Sequence, residues 1–215
     1  MQLVGNTLDV ATFVCILKVC CNTGNSNEGQ GIHAEIIKQG LLEKSDDVAN
    51  ALLKMYAKCD MFEEAKEVFE TMQNPRTTSW NVLIAGYSQH GHNKEIQKCF
   101  EQMQYKCFSP NAVTFISVLK ACAHIGAVDK TKEIATEIES RGWLEKEFFL
   151  GCALVDTYAR CGFFATAWEA FDKISNQKNV VTWNALMSGL SDHGLGGEAL
   201  KCLEQMQCEG IVGNS

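Results

Sequence analysis

Four residue patterns in the chain combine types that can do chemistry. His33-Ala-Glu35 is the H-x-E half of a zinc-deaminase signature, in which the imidazole holds the metal and the carboxylate moves protons. Completing it needs a Pro-Cys-x-x-Cys. The two prolines, Pro75 and Pro110, precede Arg76 and Asn111, so no such zinc site closes. His90-Gly-His92 sets two imidazoles either side of a turn glycine, without a third ligand at metal spacing. Eleven cysteines form no C-x-x-C pair and fall mostly where a helix would place a small apolar residue, so they read as reduced, buried thiols. No P-loop, G-x-G-x-x-G or G-x-S-x-G occurs. Neither a catalytic set nor a cofactor is expected. The fourth pattern is the pair Asn81 and Asn111, repeated as Asn184 and Asn214. An amide carries donors and acceptors on one side chain. At a helix start it also serves as a cap.

The elements that position these residues follow from internal repetition. Ala11-Thr-Phe-Val-Cys-Ile-Leu-Lys18 matches Val113-Thr-Phe-Ile-Ser-Val-Leu-Lys120, and Asn50-Ala-Leu-Leu-Lys-Met-Tyr-Ala-Lys-Cys59 matches Cys152-Ala-Leu-Val-Asp-Thr-Tyr-Ala-Arg-Cys161, both at an offset of 102. Trp80-Asn81 matches Trp183-Asn184 at 103. The chain is one block of about a hundred residues written twice. Each block divides into three units whose apolar residues recur at i, i+3, i+4, i+7, as in Trp80/Leu83/Ile84/Tyr87 and Trp183/Leu186/Met187/Leu190. That is helical spacing. A second stripe follows in each unit, as in Ile96/Cys99/Phe100/Met103. Between the stripes lies a turn signal, such as Thr23-Gly24, Cys59-Asp60 or His90-Gly91. The units are helix-turn-helix hairpins over 10–45, 46–76, 77–111, 112–147, 148–179 and 180–214, and residues 1–9 resemble the tail of a preceding one. A hairpin cannot bury two stripes alone, so the fold class is all-α, an α-solenoid of about six stacked hairpins.

The longest apolar run, Phe148 to Val155, is too short to cross a bilayer, and the first residues lack a basic start followed by an apolar block. Net charge is -7 and 21% of residues are charged. Taken over the whole chain, that charge argues against a nucleic-acid binder.

Unit lengths of 36, 31, 35 and then 36, 32, 35 alternate within one array. With Gly31-Ile-His-Ala-Glu-Ile-Ile-Lys-Gln-Gly40, Asn50-Ala-Leu-Leu-Lys-Met-Tyr-Ala-Lys-Cys59 and Val180-Val-Thr-Trp-Asn-Ala-Leu-Met-Ser-Gly189, the chain closely resembles pentatricopeptide repeats. The alternation resembles the plant PLS subclass, in the order L, S, P, L, S, P. The resemblance implies a right-handed solenoid that binds single-stranded RNA, about one base per repeat. It implies the recognition part of a mitochondrial or chloroplast factor for C-to-U RNA editing or RNA processing. The expected partners are single-stranded RNA and proteins of an editing complex, with no membrane and no small-molecule substrate.

In the family the fifth and last residues of a repeat read a base edge and the second packs on the base face. Carried over, the base-reading residues are Asn81, Asn111, Asn184, Asn214, Asn50 and Asn179, and the base-packing residues are Thr78, Val181 and Val113. Asn with Asn favours pyrimidines in the family, which makes both P units pyrimidine readers. A basic residue late in the first helix contacts the phosphate backbone. Lys58 and Arg160 stand there in the S units, whereas the P units have Gln89 and Asp192. Other fifth and second positions depart from the pattern: Val14 and Ile116 are apolar, Cys152 reads a base poorly, and Asp47 would repel a phosphate. The alternative is a protein-binding solenoid of the tetratricopeptide type, or a repeat fragment that binds nothing. A tetratricopeptide array keeps a constant period near 34, unlike this chain.

Overall fold

The computed structural model describes residues 8–73, 75–144, 146–174 and 179–211. Among these, twelve α-helices and no strand occur. Two compact units divide the chain, Met1–Ser109 and Pro110–Ser215. The first holds α1 (Val10–Thr23), α2 (Ser26–Lys38), α3 (Asp46–Lys58), α4 (Phe62–Thr71), α5 (Thr77–Gln89) and α6 (Asn93–Tyr105). The second holds α7 (Ala112–Ile125), α8 (Val128–Ser140), α9 (Phe148–Arg160), α10 (Phe164–Lys173), α11 (Val180–Asp192) and α12 (Gly196–Cys208).

Each odd helix pairs with the following even helix as a hairpin. The turn between them reverses at a left-handed residue in all six cases: Gly24, Asp60, Gly91, Gly126, Gly162 and Gly194 have φ between 62° and 80°. Five of the six are glycine, the residue that adopts this conformation without steric cost. The hairpins then stack through their odd helices. In the first unit α1 packs on α3 and α3 on α5; in the second, α7 packs on α9 and α9 on α11. Each unit therefore has a row of odd helices with the even helices behind it.

The apolar stripes face into these stacks. Phe13, Leu17, Leu52, Tyr56, Trp80 and Ile84 are buried in the first unit, and Phe115, Leu119, Val155, Phe171, Trp183 and Leu186 in the second. Burying a large apolar side chain stabilises by about 1.5–3 kcal/mol. The two blocks reuse one aromatic arrangement. Trp80 meets Phe69 edge to face with ring centroids 4.6 Å apart, and Trp183 meets Phe171 in the same way at 4.7 Å. Both indole N–H groups are sealed from solvent and lack a hydrogen-bond acceptor.

Close approach between odd helices depends on two glycines. A Cβ on Gly86 of α5 would lie 2.6 Å from the Cβ of Ala57 on α3. One on Gly189 of α11 would lie 2.4 Å from the Cβ of Ala159 on α9 and 2.7 Å from its carbonyl carbon. Small residues on both sides let the backbones touch, and this holds neighbouring odd helices in one register. Helix starts are capped by side chains: Asp9, Asn25, Ser45, Asn111 and Asn179 accept from the first-turn amides of α1, α2, α3, α7 and α11.

Candidate functional site

Because one face of every odd helix is committed to the stack, the opposite face is left open. Its residues recur at the second, fifth, ninth and thirteenth positions, a spacing that follows the helical turn. On α3 they are Asp47, Asn50, Lys54 and Lys58; on α5, Thr78, Asn81, Ala85 and Gln89. On α9 they are Phe149, Cys152, Asp156 and Arg160; on α11, Val181, Asn184, Ser188 and Asp192. Of these sixteen side chains only Cys152 is buried.

The open faces of α3 and α5 enclose a groove of about 390 Å³, lined by Lys54, Lys58, Asn81, Ala85, Gly86 and Gln89 among others. Two ammonium groups and two amides thus border one concavity. The ring Nε2–H of His90, on the turn after α5, donates to the Lys58 carbonyl at 3.2 Å and fixes the end of α3.

Charge is divided between the two rows of helices. The odd helices carry five basic and four acidic side chains. The even helices carry eight basic and sixteen acidic ones. The whole-chain charge of -7 is therefore a property of the even helices. The open face of α3 and α5 carries Lys54 and Lys58 against Asp47 alone. An argument from net charge against a polyanionic ligand does not apply to that face, since screened Coulomb interactions act over about 10 Å.

The predicted site residues fall into distinct environments. Asn81 lines the groove and is half-buried, and Asn184 is exposed at the corresponding place on α11. Thr78, Val113 and Val181 are exposed at the second position of their helices, the two valines at 56% and 50%. Lys58 is exposed on the groove. Asn50 points its carbonyl oxygen inward, where it is sealed from solvent without a partner, so reaching a base requires the side chain to rotate. Asn111 and Asn179 are helix caps. Asn111 Oδ1 accepts from the Thr114 N–H at 3.1 Å, and Asn179 Oδ1 accepts from the Val181 N–H at 2.8 Å. Asn214 lies outside the described residues. Arg160 faces the open side but is held by two carboxylates: its Nε donates to Asp156 at 3.0 and 3.2 Å, and Nη1 lies 3.6 Å from Asp192. The hydrogen-bonded Asp156 carboxylate raises the pKa of the guanidinium still further, with Asp192 adding to it.

Two residues absent from the sequence-based site share the same face. Lys54 lies one helical turn before Lys58, and that four-residue spacing was a usable signal. Phe149 stands at the second position of α9 and is 67% exposed, in line with Val113 and Val181. Its position relative to the start of α9 was the available signal.

The sequence profile of the PPR repeat family matches residues 75–124 and 178–215, and that of the PPR repeat matches 48–74, together about half of the chain. The chain belongs to the pentatricopeptide repeat family. Relatives of the same family name agree. The pentatricopeptide repeat-containing protein At4g38010 of Arabidopsis thaliana is 39% identical over 92% of this chain, which covers 35% of that protein. The chloroplastic protein At1g11290 of the same plant is 35% identical over 89% of the chain, covering 23% of its own length. The chain thus spans between about a quarter and two fifths of the curated relatives it matches. Among solved structures, the pentatricopeptide repeat protein PPR10 from maize superimposes with a TM-score of 0.72 over 96% of this chain and 30% of its own, at 24% identity. PPR10 in complex with an 18-nt psaJ RNA element superimposes with a TM-score of 0.65 over 98% of the chain and 36% of its own, at 16% identity. These likenesses establish the pentatricopeptide hairpin fold.

Proposed function

We propose that this pentatricopeptide repeat chain is a single-stranded RNA-binding array that uses the open face of its odd helices. The observation that carries this reading is the α3–α5 groove, where Asn81 and Gln89 stand beside Lys54 and Lys58 while the acidic side chains lie mainly on the even helices. The amides supply donors and acceptors for a base edge, and the ammonium groups supply phosphate contacts that position the strand without reading it. Thr78, Val113, Val181 and the exposed Phe149 offer surfaces for base faces, and stacking on an aromatic contributes about 1–3 kcal/mol per base. PPR10, the structural neighbour solved in complex with an 18-nt RNA element, supports the same ligand class.

The finer reading is a PLS-type array. In it Asn81 with Asn111 and Asn184 with Asn214 each meet one pyrimidine, three repeats apart. Capping and reading then divide the Asn111 side chain: its oxygen holds the start of α7, and its NH₂ faces the base. Asn179 and Asn50 are weaker readers: Asn179 is paired with Cys152, which reads a base poorly, and the Asn50 oxygen is turned away from the open face. The array serves as the recognition part of an RNA-editing or RNA-processing factor acting with protein partners. Relatives named chloroplastic and mitochondrial support an organellar setting.

The test is a competition titration of 7-mer RNAs with pyrimidine or adenine at two places three nucleotides apart. The wild type prefers pyrimidine, with each wrong base costing about 1–3 kcal/mol. Asn81→Thr/Asn184→Thr shifts the preference toward adenine, with little change in overall affinity because the lysines are untouched. An unchanged preference in the double variant refutes the readout. Failure of poly-C, poly-U and poly-A alike to bind refutes the RNA reading.

A further inference from the structure

The two blocks differ where their open faces meet a backbone. At corresponding positions the first unit has Lys54, Lys58 and Gln89, and the second has Asp156, Arg160 and Asp192. In the first unit the lysines border an open groove. In the second, the corresponding guanidinium is tied within its own helix to Asp156 at 3.0 Å and across to Asp192 of α11 at 3.6 Å. One cation between two carboxylates leaves the patch net negative, where the first unit has two cations.

Asp192 gains nothing from its own helix. It occupies the last turn of α11, where the helix dipole disfavours an anion. Its side chain is 53% exposed, so the pair with Arg160 adds little stability. No account based on folding explains a carboxylate at that place.

We propose that Asp156 and Asp192 act as a charge gate, occupying the Arg160 guanidinium so that it does not meet a phosphate and repelling phosphate from the α9–α11 face. This rests on the RNA-binding reading and assigns the two blocks unequal parts in it. The α3–α5 groove anchors the phosphate backbone. The α9–α11 face contacts the strand through bases only, by Asn184 and the exposed Phe149 and Val181. A strand lacking a backbone anchor there is retained only when its bases fit, so the gate raises discrimination in the second block and lowers affinity.

Affinity of a pyrimidine 7-mer is measured against salt for the wild type, Asp192→Asn, Asp192→Ser, Arg160→Ala, Asp192→Asn/Arg160→Ala and Glu169→Gln. Glu169 is an exposed carboxylate on α10 and controls for net charge. Removing the Asp192 carboxylate frees the Nη1 side of Arg160, whose Nε stays on Asp156, and adds one phosphate contact. Asp192→Asn and Asp192→Ser then tighten binding roughly three- to tenfold at low salt. The salt slope steepens by about 0.7, the value per phosphate on a single strand. Glu169→Gln changes neither quantity. In the Arg160→Ala background the Asp192→Asn gain shrinks to the small part due to lost repulsion, and the slope no longer steepens by a full contact. An equal gain with and without Arg160 overturns the gate, because bulk charge would explain it. An unchanged slope in both Asp192 variants overturns it as well, while wild-type binding leaves the RNA reading standing. Absence of wild-type binding overturns both.

Discussion

Trp80 tests the assignment of faces on which the site depends. Its ring is 2% exposed on the stacked side of α5, one residue before Asn81 on the open side. A tryptophan buries about 150–250 Å². At about 25 cal/mol per Å² that amounts to about 4–6 kcal/mol, an upper bound because unfolded chains already bury part of that surface. The edge-to-face contact with Phe69 at 4.6 Å adds about 0.5–1.5 kcal/mol. Against these stands the Nε1–H, sealed without an acceptor. Its desolvation costs about 1–3 kcal/mol, offset at most in part by an aromatic face. Trp80→Ala removes all three contributions, so the net loss is about 3–5 kcal/mol, in line with other large-to-small core changes. Trp80→Phe keeps a ring against Phe69 and removes the orphan donor, so it costs less than about 1.5 kcal/mol. Urea unfolding followed by far-UV circular dichroism measures both variants, with an RNA titration of each below its transition. A loss under about 1 kcal/mol for Trp80→Ala refutes the core assignment. So does lost RNA binding with unchanged stability, which would make the indole a base platform.

Gly189→Ala destabilises by about 1–3 kcal/mol in thermal melts, because its Cβ would press on the Ala159 backbone at 2.7 Å, and Gly24→Ala, with nothing within 4 Å of its Cβ, separates clash from backbone strain. Burial pushes the Cys99 and Cys152 thiols up to about 11, so at pH 8 only about one in a thousand is thiolate. Exposed Cys15, Cys107 and Cys208 therefore alkylate with iodoacetamide well before either in peptide mapping. His33 is held neutral by burial, with Glu67 opposing, and its Nδ1 lies 2.9 Å from the Tyr56 hydroxyl. Its folded pKa lies below the unfolded value near 6.5. Stability is therefore intact above about pH 6.5 and falls as pH drops below it, as the unfolded chain takes up the proton. His33→Gln flattens the melting temperature between about pH 7 and 5.5.

Much of the fold was legible in the sequence. Helical periodicity is a local property, so Trp80/Leu83/Ile84/Tyr87 announced one buried face and Asn81 an open one. Left-handed turns need glycine or a tolerant residue, so His90-Gly91 and Cys59-Asp60 marked the reversals. Repetition at an offset of 102 residues made the hairpins a stack, since neither stripe is buried by one hairpin.

Contacts between helices were not legible. The second partner of Arg160 lies a full hairpin away on α11, and only the register set by Gly189 against Ala159 brings Asp192 within 3.6 Å. By sequence Arg160 counts as a phosphate contact; the i,i+4 spacing to Asp156 was a usable signal against that, whereas the contact with Asp192 is a property of two packed helices. Asn111 and Asn179 looked like base readers or caps. Which atom serves which purpose depends on backbone dihedrals at the helix start. The net charge of -7 argued against RNA because a sum has no position. Hairpin packing in the first unit sends the acidic α4 to one side and Lys54 and Lys58 to the other, and only that separation gives this unit a face suited to an anionic strand.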